Sequence, residues 1–259
     1  MLSRDLPLHV LALLVYPGLA LVLAIGAAAE AAVALVLAGR GARTALRAPA
    51  AWLRHGVRRP ADLAVPLLAM LAATQLAVPF SPVPPVERNL LVAAAALVAA
   101  AWLAGGPWTA AEARRTLLAQ VCWLMALLAP ALASETLRPQ ALGAVVVPSA
   151  LPLKAAAGLL ALLCLPALLR LAPRGPADLF EAARLPLWLP ACGLLVSLFL
   201  PPAGGDAGGL LRFLVATVAT AAAGIGLALA AGRSSLYPRL LAPIALVVVV
   251  AAAVTSALT

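Results

Sequence analysis

"LALVLAIGAAAEAAVALVLA", residues 19–38, is a stretch of 20 residues with one charge, Glu30. A helix of about 20 apolar residues crosses the ~30 Å hydrocarbon core of a bilayer. Similar runs recur along all 259 residues, of which 65% are hydrophobic and 10% charged. A soluble domain averages about 25% charged residues, so this chain has too few polar groups to cover its surface with them.

The apolar runs are continuous and rich in Ala and Leu, whereas the strands of a membrane barrel alternate between apolar and polar residues. We therefore predict an all-α, polytopic membrane protein, a single transmembrane helical domain over residues 1–259. Eight spans are expected, at about 8–38, 62–81, 89–105, 116–134, 153–172, 186–201, 209–231 and 240–258.

Arginine is unevenly distributed between alternate loops, and this asymmetry predicts the orientation. Thirteen of the 18 basic residues fall on one side, which the positive-inside rule makes cytoplasmic. Topology thus explains the net charge of +9 better than nucleic-acid binding does. Both termini are then outside, and the cytoplasmic loops are 39–61, 106–115, 173–185 and 232–239.

No motif assigns chemistry to this chain. The three cysteines lie at wide spacing within apolar runs, which excludes a disulfide framework and a Cys-based metal site. The two histidines are far apart, and neither a Gly-rich phosphate loop nor a nucleophile elbow is present. We assign no catalytic residue and no metal ligand, which argues against a membrane-embedded enzyme.

The first cytoplasmic loop is longer than a minimal turn and mixes Trp52, Pro49 and Pro60 with its charges. These features favour docking of a cytoplasmic partner protein. The alternative is that its arginines only fix the orientation. The docking candidates are Arg40, Arg43, Arg47, Arg54, Arg58, Arg59 and, in the third loop, Arg174.

Glu30 is a functional candidate because a carboxylate at membrane depth costs a few kcal/mol unless it is paired, wetted or protonated. The alternative is a shorter span that leaves Glu30 near the cytoplasmic interface, capped by Arg. Gln75 and Gln120 are amides within predicted spans two and four. Such amides commonly join neighbouring helices; lining a hydrated path is the other interpretation.

"RGPADLFEAARLP", residues 174–186, contains two of the nine acidic residues. Asp178 and Glu181 are three apart, so a helical turn would place them on one face. Pro176 and the two acids are typical of a helix start, and Arg184 of its end. We expect a short amphipathic segment at the cytoplasmic interface; a solvated loop is the alternative.

Three stretches carry a resemblance to one family. The chain resembles the quinone-chamber membrane subunit of bacterial NADH-quinone oxidoreductase (respiratory complex I), whose family includes the matching membrane subunit of energy-converting, group 4 NiFe hydrogenases and formate hydrogenlyases. "VYPGLALVLAIGAAAEAAVALVLAGRGA" (15–42) looks like the first helix of the family, with Glu30 in place of its Glu. "ARRTLLAQVCWLM" (113–125) looks like the fourth-helix entry, with Arg115 and Gln120.

The third stretch, 174–186, is similar to the family segment A-P-F-D-L-P-E-A-E. The matching residues are Pro176, Asp178, Leu179, Glu181 and Ala182. The chain departs from the family at Met125, near which an intramembrane acid is expected. It departs again where later acids are replaced by Ala183, Arg184 and Leu185.

The resemblance implies a non-catalytic subunit that anchors a cytoplasmic electron-transfer arm and helps couple redox chemistry to proton or ion translocation. It implies no cofactor in this chain, with iron–sulfur clusters, and quinone or NiFe, in or with partner subunits. Those partners are antiporter-like membrane subunits and cytoplasmic iron–sulfur and large subunits. The expected location is a prokaryotic cytoplasmic (inner) membrane. The ion-coupling or quinone-chamber candidates are Glu30, Asp178, Glu181, Gln120 and Arg115; the alternative function is an unrelated multi-pass transporter or permease.

Overall fold

The described part of the chain is helical. This computed structural model describes residues 18–37, 60–104, 110–144, 151–171, 183–231, 243–251 and 254. Those ranges contain no β-strand, so the all-α prediction is confirmed for them. The helices are α1 (Leu19–Val36), α2 (Pro60–Thr74), α3 (Leu90–Ala104), α4 (Ala110–Ala133), α5 (Pro139–Ala144), α6 (Leu151–Leu168), α7 (Trp188–Phe199) and α8 (Ala207–Ala231). A 3-10 turn, Leu185–Leu187, runs directly into α7, and residues 243–251 are also helical.

Four helices are long and apolar enough to cross a membrane. They comprise Leu19–Val36, Ala113–Ala133, Leu151–Leu168 and Ala207–Ala231. Shorter apolar helices of 10–17 residues cover Leu63–Thr74, Leu90–Ala104 and Leu185–Phe199. Length and composition therefore support a helical membrane protein, while eight spans and two outward termini stay predictions.

Two helix boundaries differ from those expected from the sequence. The second predicted span runs to residue 81, whereas α2 ends at Thr74. There the Ser81 hydroxyl donates to the Thr74 carbonyl oxygen at 2.9 Å and turns the chain back toward α3. In addition, α4 begins at Ala110, so residues 110–115 of the predicted loop 106–115 are its first turns.

Helix α7 lies at the centre of the described helices. Every residue from Trp188 to Leu198 is buried, and α7 contacts α1, α2, α5, α6 and α8. A helix that is apolar all round is expected to be buried on all sides. Small side chains let the backbones approach: a Cβ at Gly143 of α5 would lie 2.6 Å from the Ser197 carbonyl oxygen of α7.

Hydrogen bonds join the helix ends in two groups. At one end, Arg184, just before α7, bonds to Glu30 in the C-terminal half of α1 and to carbonyls at the end of α6. At the other end, Ser197 Oγ of α7 accepts a bond from the Ala77 N–H, just after α2, at 2.9 Å. There too, Lys154 near the start of α6 donates to two carbonyls at the end of α5 at 2.8 and 2.9 Å. Helices α1 and α6 therefore run in one direction and α7 in the other.

Candidate functional site

Glu30 is buried inside the helix bundle. It is 2% exposed and lies on the face of α1 that carries Val22, Gly26 and Val33, all of which are also buried. An isolated carboxylate is costly to bury in apolar surroundings, so a stable fold requires a partner for it.

That partner is Arg184, whose guanidinium faces both carboxylate oxygens. Arg184 Nε donates to Glu30 Oε1 and Nη2 donates to Oε2, each at 2.6 Å. The Trp188 indole N–H donates to Oε1 as well, at 2.6 Å. A two-pronged Arg–carboxylate pair is among the stronger protein hydrogen-bonding arrangements, and here all three donors point at one buried acid.

The remaining arm of Arg184 binds the end of helix α6. Its Nη1 donates to the carbonyl oxygens of Arg170 at 3.1 Å and Leu169 at 3.4 Å. The last carbonyls of a helix lack partners within that helix and carry partial negative charge. The guanidinium therefore compensates two negative groups at once, the Glu30 carboxylate and the C-terminus of α6.

The end of α6 is shaped to present these carbonyls. Arg170 has a positive φ of 50°, and Leu171 N–H donates to the Pro166 carbonyl oxygen at 2.7 Å while Arg170 N–H donates to that of Ala167 at 3.2 Å. This pair of bonds with a left-handed residue is a Schellman ending. It stops the helix at a fixed point and leaves the Leu169 and Arg170 carbonyls for Arg184.

Local sequence explains why Arg184 and Trp188 reach the same acid. They are four residues apart across the 3-10 turn and the start of α7, so their side chains lie on one face. Gly26 precedes Glu30 by four residues on α1. A Cβ at Gly26 would overlap the Leu185 carbonyl group, so only glycine lets α1 approach the turn this closely.

This arrangement fixes three chain segments together and holds a negative charge at a defined place. Removing one member of a buried ion pair typically costs about 3–5 kcal/mol, because the other charge stays buried and uncompensated. A proton could be exchanged at Glu30 only if Arg184 moved away from it. The described geometry is thus that of a closed pair.

Gln120 makes a separate polar contact between α3 and α4. Its Oε1 accepts a hydrogen bond from the Trp102 indole N–H at 2.7 Å. Gln120 Nε2 and the indole N–H of Trp123, one turn on, are buried with no acceptor among the described residues. Arg115, on the same helix, is exposed. The hydrogen bonds of Glu30 and Gln120 therefore involve different helices.

Gln75 joins the chain at the opposite end of the bundle. Its Oε1 accepts a bond from the Asn89 N–H at 2.9 Å, and its Nε2 donates to Thr74 Oγ1 at 3.3 Å. Both glutamines therefore bond to a neighbouring segment, as expected of amides that join helices.

Several predicted site residues lie outside the described residues. These are Asp178 and Glu181 of the acidic segment and the docking candidates Arg40, Arg43, Arg47, Arg54, Arg58, Arg59 and Arg174. Within the described ranges, no group of three or more His, Cys, Asp or Glu side chains could hold a metal ion.

Sequence reasoning missed Trp188 and gave Arg184 only a loop and helix-end role. A usable signal was present, because a lone acid in an apolar helix requires a donor elsewhere in the chain. An Arg and a Trp four residues apart at the start of a span form such a donor set. Comparison with known proteins found no matching family model and no matching curated protein.

Proposed function

We propose that this chain is a membrane-embedded subunit of a complex I-like or energy-converting hydrogenase-like oxidoreductase. In this role it anchors a cytoplasmic electron-transfer arm and contributes to coupling between redox chemistry and proton or ion movement. The chain itself carries out no redox step. Iron–sulfur clusters, together with quinone or a NiFe centre, belong to partner subunits.

The observation that carries the proposal is the buried cluster of Glu30, Arg184 and Trp188. Two of the stretches on which the family resemblance rests, 15–42 and 174–186, are far apart in sequence. The Glu30–Arg184 pair joins them directly, at 2.6 Å for each of its two bonds. An unrelated set of apolar helices has no reason to bring these two stretches together.

The cluster also suits an anchoring role by its position. It lies where the Arg-rich loops 39–61 and 173–185 leave the helices, on the side proposed to be cytoplasmic. Those loops supply the positive charge for docking, through residues such as Arg54, Arg58 and Arg174. Fixing the helix ends beneath them would hold a docking surface in one orientation.

The proposed membrane arrangement has eight spans with both termini outside, in the cytoplasmic membrane of a prokaryote. The directions of α1, α6 and α7 support this alternation. Coupling through Glu30 would require Arg184 to release the carboxylate, which ties any ion step to movement of the turn at residues 185–187.

A tagged chain, extracted from native membranes in mild detergent, tests the proposal. We expect iron–sulfur proteins and antiporter-like membrane proteins to co-purify with it and to give an electron paramagnetic resonance signal on reduction. A tagged variant with Arg54, Arg58 and Arg59 changed to Gln should lose the iron proteins, whereas Arg138→Gln, in a predicted outer loop, should retain them. A chain that purifies without any iron–sulfur protein contradicts the proposal and favours the transporter alternative.

A further inference from the structure

A cavity at the end of the bundle opposite to Glu30 combines an apolar wall with one cationic group. It encloses about 210 Å³ between the segment after α2, the end of α7 and the start of α8. The apolar wall is formed by Ala77, Val196, Leu200, Ala203, Phe213 and Ala216. Arg212 and Ser197 are its polar side chains.

Arg212 is partly used by the protein and partly available. Its Nη2 donates to the carbonyl oxygens of Pro201 at 2.9 Å and Pro202 at 2.6 Å. Both bonds come from one nitrogen of a guanidinium that has five N–H donors. The Nε and Nη1 donors, on a side chain that is exposed, are left for an acceptor outside the protein.

Ser197 supplies a second donor. It is 2% exposed, and its Oγ accepts the Ala77 N–H at 2.9 Å. A hydroxyl that already accepts one bond still has its own hydrogen to donate. The cavity therefore holds a buried O–H and a guanidinium but lacks a carboxylate among its lining residues.

The surroundings of the cavity are apolar and face outward. Leu211 and Val215, which flank Arg212 on α8, are 63% and 60% exposed, and Leu200 is 44% exposed. In a membrane protein, such residues contact lipid chains. Arg212 lies five residues from the start of α8, about 7.5 Å along the helix, which is a suitable depth for the phosphate level of a bilayer.

We propose that this cavity binds one phospholipid, with its phosphate on Arg212 and one acyl chain against Phe213, Val196 and Ala216. Arginine pairs with phosphate through two parallel N–H groups, and Nε and Nη1 offer such a pair. The bound lipid fills the space between α7 and α8 and fixes the loop that holds the Pro201 and Pro202 carbonyls. This binding site is independent of the proposed partners and of which leaflet the cavity faces.

Native mass spectrometry of the full chain in detergent, titrated with phosphatidylglycerol or with diacylglycerol of the same acyl chains, tests the site. We expect one tightly retained phosphatidylglycerol and weaker retention of diacylglycerol, which lacks the phosphate. Arg212→Gln should weaken phosphatidylglycerol binding about fivefold, the usual contribution of one basic residue to anionic lipid binding. It should leave diacylglycerol binding unchanged.

Arg138→Gln is the matched control, because Arg138 is exposed and lies outside the cavity lining. It removes the same charge and should change phosphatidylglycerol binding less than twofold. A second variant, Ala216→Leu, fills the apolar wall and should weaken binding of both lipids about fivefold or more. Equal losses in Arg212→Gln and Arg138→Gln, or equal affinity of the wild type for the two lipids, would overturn the proposal. Inorganic phosphate should not displace the lipid; displacement would show a free-anion site instead.

Discussion

Gly26 of α1 and the backbone carbonyl of Leu185 are in direct contact, and no side chain fits between them. A Cβ at position 26 would overlap the Leu185 carbonyl oxygen. The contact lies one helical turn from Glu30, so it sets how closely α1 approaches the donors Arg184 and Trp188. The close approach and the ion pair therefore depend on each other.

Gly26→Ala is expected to destabilise the protein by about 1–3 kcal/mol, the usual cost of overpacking a tight contact. The added methyl group meets backbone atoms, which cannot rotate away as a flexible side chain could. The free energy of unfolding, measured by denaturant titration in detergent with circular dichroism, reports the change.

Gly226→Ala in α8 is the control for that experiment. A Cβ at Gly226 would meet nothing within 4 Å, and alanine favours a helix over glycine by roughly 0.5–1 kcal/mol. The variant should be unchanged or slightly more stable. A similar loss in both variants would show that the Gly26 contact has no special role.

Arg184→Met should lower the free energy of unfolding by about 3–5 kcal/mol, because it leaves the Glu30 carboxylate buried without its counter-charge. Changing both members, Glu30→Leu with Arg184→Met, should recover most of that loss, since apolar replacements of a buried pair are often neutral. Thermal unfolding of the two single variants and the double variant measures the coupling. Additive losses would mean that the two side chains do not interact in solution.

Trp188→Phe keeps an aromatic ring in the core and removes the N–H that donates to Glu30 Oε1 at 2.6 Å. A hydrogen bond to a charged group contributes about 1.5–3 kcal/mol, so a loss of that size is expected. In a Glu30→Gln background the acceptor is uncharged, and the loss should fall to about 1 kcal/mol. The same loss in both backgrounds would assign the effect to packing of the indole ring alone.

The helices follow from local sequence, whereas the site does not. Continuous apolar runs predicted segments that overlap α1, α6 and α8, because each residue in such a run favours the same environment. The partner of Glu30 is 154 residues away, and no periodicity within either segment encodes that pairing. The early end of α2 depends on a side-chain bond from Ser81, which apolar character alone cannot reveal.

Gln120 makes two opposing contributions to stability, and their balance decides what its replacement does. Its Oε1 accepts the Trp102 indole N–H at 2.7 Å, a bond between membrane helices that averages about 0.6 kcal/mol, with a maximum near 1.7. Its buried Nε2 has no acceptor among the described residues, a cost of about 1–3 kcal/mol. Gln120→Met has a similar size and removes both contributions, so unfolding should show a change within about 1 kcal/mol or a modest stabilisation. Trp102→Phe, which removes the bond but keeps the amide, should instead be destabilising. A loss of more than about 2 kcal/mol in Gln120→Met would mean that Nε2 is bonded to an internal water, which favours the hydrated-path interpretation of this helix over simple helix joining.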